Sequence, residues 1–212
     1  MQEMKKIRKP SYNLERELLK KNVDLVFGMD EVGRGSFAGP LVASAVAFEK
    51  EFPRWFKDIN DSKLLTAAKR EHLSKLILKN AKCFTEIINV GMINKIGIGK
   101  CNKLIFEKLI KIILNEYKEK RIHFLIDGNG KKIRRKNLSF IVKGDSQIIS
   151  IAAASIIAKV YRDKMMRDLG KIYRGYNFSR NKGYGTKLHQ EAIKKLGLCE
   201  IHRKSFSLSK FL

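Results

Sequence analysis

The stretch Ile148–Ala158 is the longest nearly apolar run in a chain of 212 residues. It falls far short of the roughly 20 residues that a bilayer span needs, so no membrane anchor is expected. Gln147–Leu169 reads as one long helix whose first half is apolar on nearly every side. A helix of that kind must be buried, and packing against a sheet is a standard way to bury it. Five segments can supply strands: Leu25–Asp30, Leu41–Phe48, Cys83–Val90, His123–Asp127 and Leu138–Lys143. Leu41–Phe48 is mostly Val and Ala, as a fully buried strand would be.

Further helices are expected at Asn13–Lys21, from a Thr66 N-cap to about Asn80, at Asn102–Glu119 and at Gln190–Leu196. The first three strands can form an antiparallel meander, with the later strands added beside them and helices covering the sheet. The fold class is α/β or α+β, in layers. No Pro/Gly/Ser-rich linker divides the chain. Residues 1–22 read as an N-terminal extension with a short helix, and 23–212 as one main domain.

Lys and Arg number 45 against 21 Asp and Glu, a formal net charge of +24. Such an excess favours polyanionic partners, because neutralised phosphates release their counterions. The basic residues are spread along the chain, which suggests a broad basic face. Cys83, Cys101 and Cys199 are far apart and form no CxxC spacing, so a zinc site or disulfide framework is not expected and a reducing compartment fits. Met1–Lys21 lacks the apolar core of a signal peptide. A soluble, cytoplasmic protein is expected.

Against that basic background, four acids follow apolar strands. Asp30 and Glu31 follow Leu25–Met29, Asp127 follows His123–Ile126, and Asp145 follows Phe140–Lys143. Carboxylates gathered at one sheet edge repel one another unless a cation sits among them. Hard divalent ions such as Mg²⁺ or Mn²⁺ take carboxylate oxygens, and two such ions suit phosphodiester hydrolysis. Each acid also has a plainer role as a turn or cap residue, and Asp145 could cap the helix that follows. Neighbours on a strand point to opposite faces, so Asp30 and Glu31 would need a strand end or bulge to share a site.

Three short motifs accompany these acids along the chain, the first directly after Glu31. Gly33-Arg34-Gly35 lets backbone N–H groups approach a sugar or phosphate. Asp61-Ser62-Lys63 precedes a helix start, a setting that suits phosphate. Gly183-Tyr184-Gly185-Thr186 offers a tyrosine that can stack on a sugar or base. Each alone is also an ordinary turn or loop.

Together they resemble the ribonuclease HII family. Gly28 to Pro40 (GMDEVGRGSFAGP) is similar to that family's D-E-[AV]-G-R-G-x-x-A-G-P signature. Asp61-Ser62-Lys63, Asp127-Gly128-Asn129 and Lys143-Gly144-Asp145 match its D-S-K, D-G-N and K-G-D motifs. Ile151–Asp163, Gly183–Thr186 with His189, and His202–Phe206 match its remaining motifs in order. The resemblance spans about Val23 to Phe206. Met29 and the stretch Ile93–Asn102 depart from the pattern without touching the acids.

The resemblance implies a ribonuclease H-like fold, a mixed central sheet flanked by helices, with a C-terminal helical region. It implies that Asp30, Glu31, Asp127 and Asp145 hold two Mg²⁺ or Mn²⁺ ions. Gly33, Arg34 and Gly35 would read the ribose 2′-OH, which separates RNA from DNA, and Tyr184 would stack on the next sugar. Lys63, Lys159 and Arg162 are candidate phosphate contacts. Asp163 stays outside the quartet and either faces solvent or pairs with a base on its helix. The implied substrates are RNA–DNA hybrids and duplex DNA carrying ribonucleotides, cut on the 5′ side of the ribonucleotide by a monomer. The intact Gly33-Arg34-Gly35 favours ribonuclease HII over ribonuclease HIII. A non-cleaving hybrid-binding module and a DNA nuclease of the same fold are the alternatives.

Overall fold

The computed structural model describes residues 9–49, 54–129, 133, 135–206 and 208. Five strands form one sheet: β1 (Leu25–Val32), β2 (Leu41–Ala47), β3 (Lys82–Ile88), β4 (Ile122–Asp127) and β5 (Leu138–Ile141). Their order is β3-β2-β1-β4-β5. β1, β2 and β3 form the antiparallel meander read from the sequence. β4 joins β1 in parallel, and β5 joins β4 in parallel. The helices are α1 (Asn13–Lys20), α2 (Ala67–Asn80), α3 (Val90–Ile96), α4 (Ile98–Glu116), α5 (Ile149–Ile172), α6 (Phe178–Asn181) and α7 (Lys187–Leu196). No helix among the described residues is long and apolar enough to cross a membrane.

Alternation along the strands divides the core in two. Phe27 and Met29 of β1 and Phe124 and Ile126 of β4 pack with Ile105, Leu109 and Ile113 of α4. On the other face, Val46 and the apolar half of α5 (Ala152, Ala153, Ile156) pack with Leu73 and Ile77 of α2. α5 lies directly on the centre of the sheet, and Gly28 allows it. A Cβ there would come 2.2 Å from the Ser150 carbonyl carbon. The buried half-helix is therefore covered as its composition requires.

Several elements depart from the sequence reading, which had no counterpart of α6. α3 occupies Val90–Ile96, where the third strand was extended to Val90, because the Asn89 side chain accepts from the Met92 N–H and starts a helix there. α4 begins at Ile98, four residues before Asn102. α7 begins at Lys187 because Thr186 caps it through the His189 N–H.

Candidate active site

Asp30 and Glu31 both lie inside the regular β1–β2 ladder, paired with Ser44 and Ala43. The expected strand end or bulge is not how they meet. Alternation sends Asp30 toward the α5 face and Glu31 toward the α4 face. Asp127 closes β4 one residue beyond the pair Met29↔Ile126, beside Asp30 in the neighbouring strand. Asp145 stands in the single 3₁₀ turn Gly144–Ser146 ahead of α5. It does not cap α5, whose N-cap is Ile148.

The four carboxylates bear on one another. Burial drives the Asp30 carboxyl well above the usual carboxylate range, and the charges of Glu31, Asp127 and Asp145 push it further; the Ser155 hydroxyl pulls the other way. Burial raises Glu31 to about 7, the Arg34 guanidinium restrains it, and Asp127 adds to the rise. Asp127 is raised by burial and eased by the Gly144 N–H, which donates to its Oδ1 at 2.6 Å. Asp30 and Asp145 are each 6% exposed. Such a cluster is unfavourable as it stands, and a divalent cation would relieve it.

One cation of the chain already answers the cluster. Lys63 Nζ lies 3.0 Å from Asp145 Oδ2. Burial would depress its pKa, but the bond to Asp145 holds it above the usual value. Oxygen-only donors of this kind suit Mg²⁺ or Mn²⁺. Among the described residues, however, no three His, Cys, Asp or Glu side chains converge tightly enough to hold an ion as they stand. Glu31, Asp127, Arg34, Asn102 and Lys103 line a cavity of about 330 Å³ on the α4 face.

The glycine loop is held from both sides. Phe37 N and Ala38 N donate to Gly183 O at 2.8 and 3.1 Å, so the loop that carries Tyr184 docks directly on the loop after Gly33-Arg34-Gly35. Gly33 has φ +89°, and a Cβ there would strike Arg162 Nε at 2.2 Å. Gly35 has open space around it among the described residues. Arg34 is largely exposed and reaches Glu31 at 3.8 Å. Backbone and cation are thus offered beside the acids.

Arg162, expected to contact phosphate, is turned inward. It is fully buried. Its guanidinium donates to Pro40 O, Ala38 O, Lys182 O and Ser36 Oγ at 2.9–3.1 Å. Lys159 pairs with Asp163 at 2.8 Å, the pairing with a base on its helix expected for Asp163. The Tyr184 ring sits over Lys159 Nζ at 5.7 Å and over the Arg162 guanidinium at 5.5 Å.

Arg203 was missed. It is also fully buried, and it donates to Gly39 O and to Arg34 O at 2.8–3.0 Å. The two arginines grip the glycine loop between them. Ser155 and Asn102 near the acids were missed as well. Ser155 appeared only inside a motif run, and Asn102 only as a helix start and at the edge of the unevenly matching stretch.

A mixed sheet in this order, with acids from adjacent strands under a buried helix, has the ribonuclease H-like fold. It superposes on the PCNA:RNase HII complex from Archaeoglobus fulgidus with a TM-score of 0.69 at 24% identity, over 84% of this chain and 92% of that one. Bst-RNase HIII in complex with Mn²⁺ superposes with a TM-score of 0.69 at 19% identity, over 91% of this chain and 70% of that one. The family model for Ribonuclease HII matches residues 27–209. The ribonuclease HII of Fusobacterium nucleatum is 48% identical over 185 residues, 85% of each chain. That of Caldanaerobacter subterraneus is 42% identical over 205 residues, 96% of this chain and 82% of the relative. The chain belongs to the ribonuclease HII family, whose members are ribonuclease H endonucleases.

Proposed function

We propose that this endonuclease cuts the RNA strand of RNA–DNA hybrids and also cuts on the 5′ side of single ribonucleotides embedded in duplex DNA. The observation that carries this reading is Asp30, whose carboxyl is raised first by its burial and then by the charges of Glu31, Asp127 and Asp145, close to a glycine loop open at Gly35. Asp30, Glu31, Asp127 and Asp145 would hold two Mg²⁺ or Mn²⁺ ions. Those ions would activate the attacking water and stabilise the leaving oxygen. The water oxygen attacks phosphorus, the bond from phosphorus to the upstream O3′ breaks, and the products carry 3′-OH and 5′-phosphate ends.

The chain's own residues supply selection and orientation. Gly33, Arg34 and Gly35 present backbone groups to the ribose 2′-OH, which DNA lacks. Tyr184 stacks on the following sugar, with Lys159 beneath its ring. Lys63 compensates Asp145 and lies within reach of a scissile phosphate at the acids. The net charge of +24 favours a polyanionic duplex. The three cysteines are free, as a cytoplasmic setting would keep them. The enzyme would work as a monomer.

Asp30→Asn on an RNA–DNA hybrid tests the quartet. Cleavage should fall by about 10³-fold, some 4 kcal/mol of barrier, while hybrid binding persists. Normal turnover by the variant would remove the quartet from the account.

A further inference from the structure

Helix α5 begins without a side-chain cap of its own. Ile148, its N-cap, forms no cap hydrogen bond, although the first N–H groups of a helix have no intrahelical partner. The N-terminal segment supplies the acceptors. Ser11 O accepts from Ile149 N at 3.1 Å, and Glu15 Oε1 accepts from Ser150 N at 2.9 Å. Ser11 N in turn donates to Gln147 O at 2.9 Å. These ties hold the chain continuously from Gln147 to Ser150.

Glu15 is fully buried, at 0% exposure. Burial pushes its carboxyl upward, and the Ser150 N–H is the main restraint. A buried carboxylate at the positive end of a helix makes a charge-assisted bond there. α1 precedes the residues that the family model matches, 27–209.

What Glu15 holds leads directly to the acids. Gln147 N and Ile148 N donate to Gly144 O at 3.0 and 2.8 Å, and Gly144 N donates to Asp127 Oδ1. Asp145 lies inside that turn. A Cβ on Gly144 would stand 2.6 Å from the Ile151 side chain, so the turn packs against the first turn of α5. On its other side Ser150 presses against Gly28, two residues before Asp30.

We propose that Glu15 is a positioning residue of the candidate metal site: its carboxylate fixes the first turn of α5 and so the Gly144–Ser146 turn that presents Asp145 and bonds Asp127. The consequence for metal rests on the quartet reading given above.

Hydrogen exchange on the metal-free protein, with Mn²⁺ titration beside it, tests the link. Glu15→Ala should speed exchange at Gly144 and Ser150 by about tenfold or more while the later turns of α5 stay protected. Its half-saturating Mn²⁺ concentration should rise about five- to tenfold, with kcat on a hybrid at saturating Mn²⁺ within about twofold. Glu15→Gln keeps an acceptor and should recover most of both. Where Glu15→Ala does not fold, Glu15→Asp withdraws the carboxylate by one methylene and should show the same pattern more weakly. Unchanged exchange at Gly144 in a folded Glu15→Ala or Glu15→Asp protein overturns the proposal. So does faster exchange with unchanged Mn²⁺ affinity. If the unaltered protein binds no Mn²⁺, the quartet reading fails, and the exchange arm decides the link from Glu15 to Gly144 by itself.

Discussion

The Nε2 atoms of His189 and His202 stand 3.0 Å apart in a fully buried contact that admits one pair of tautomers. Cys199 N donates to His202 Nδ1 at 2.9 Å, which leaves the His202 proton on Nε2. His189 Nε2 accepts it, and His189 Nδ1–H donates to Tyr184 O at 2.9 Å. The tautomers follow from this network. The Tyr184 loop is therefore tethered through two neutral imidazoles to the turn at Cys199.

Burial, and then the electrostatic interaction with the His189 imidazole, push His202 down to about 4. An unfolded histidine titrates near 6.5. Between those values the unfolded chain takes up a proton that the folded chain does not. The contribution of His202 to stability is thus complete above about pH 6.5 and is lost as the pH falls toward about 4. Asp30 and Glu31 are shifted upward and act with the opposite sign, so a comparison with His202→Asn isolates the histidine. The Tm advantage of the unaltered protein over that variant should shrink between roughly pH 7 and pH 4.5. A constant gap would contradict the neutral pair.

Glu31, raised to about 7, sets a second pH dependence. A proton and a metal ion compete for its carboxylate. Half-saturating Mn²⁺ should therefore fall by about tenfold from pH 6 to pH 8 for one proton released near pH 7. Calorimetry of Mn²⁺ binding at the two pH values measures it. A pH-independent affinity would take Glu31 out of the ligand set.

Arg162 separates a structural from a phosphate-binding role. Arg162→Lys leaves several of Pro40 O, Ala38 O, Lys182 O and Ser36 Oγ without their donor. Denaturant unfolding should show a loss of ~2–4 kcal/mol. The salt dependence of hybrid binding should keep its slope, because no phosphate contact is removed. A shallower slope in the variant would restore the phosphate role.

The layers and the meander were legible in the sequence because period-2 and all-apolar patterns report burial directly. The acids were legible as strand-end residues, and Asp127 and Asp145 lie where that reading put them. What escaped were effects carried by tertiary partners. Arg162 and Arg203 look like surface cations in a basic chain. Their burial depends on carbonyls at Ala38, Gly39 and Pro40, more than 100 residues away in sequence. Glu15 looks like one more polar residue on a short amphipathic helix until α5 is laid beside it. Asp30 and Glu31 meet the other acids from opposite faces of a regular strand, an arrangement that alternation alone argued against.

Tyr184, stacked over Lys159, is the candidate reader of the RNA–DNA junction. Tyr184→Ala should reduce cutting at a single embedded ribonucleotide by about tenfold more than cutting within a long RNA–DNA hybrid, in line with ~1–3 kcal/mol of lost stacking. Rates on the two substrates under one set of conditions measure it. Equal losses would remove the junction role.

The most direct measurement is cleavage of a DNA duplex carrying one ribonucleotide, beside an all-DNA control, with and without Mg²⁺ or Mn²⁺. The account predicts one cut, on the 5′ side of the ribonucleotide, only with metal, leaving a 3′-OH and a 5′-phosphate, and no cut in the control. Tight binding without cleavage, or cleavage of the all-DNA duplex, would contradict it.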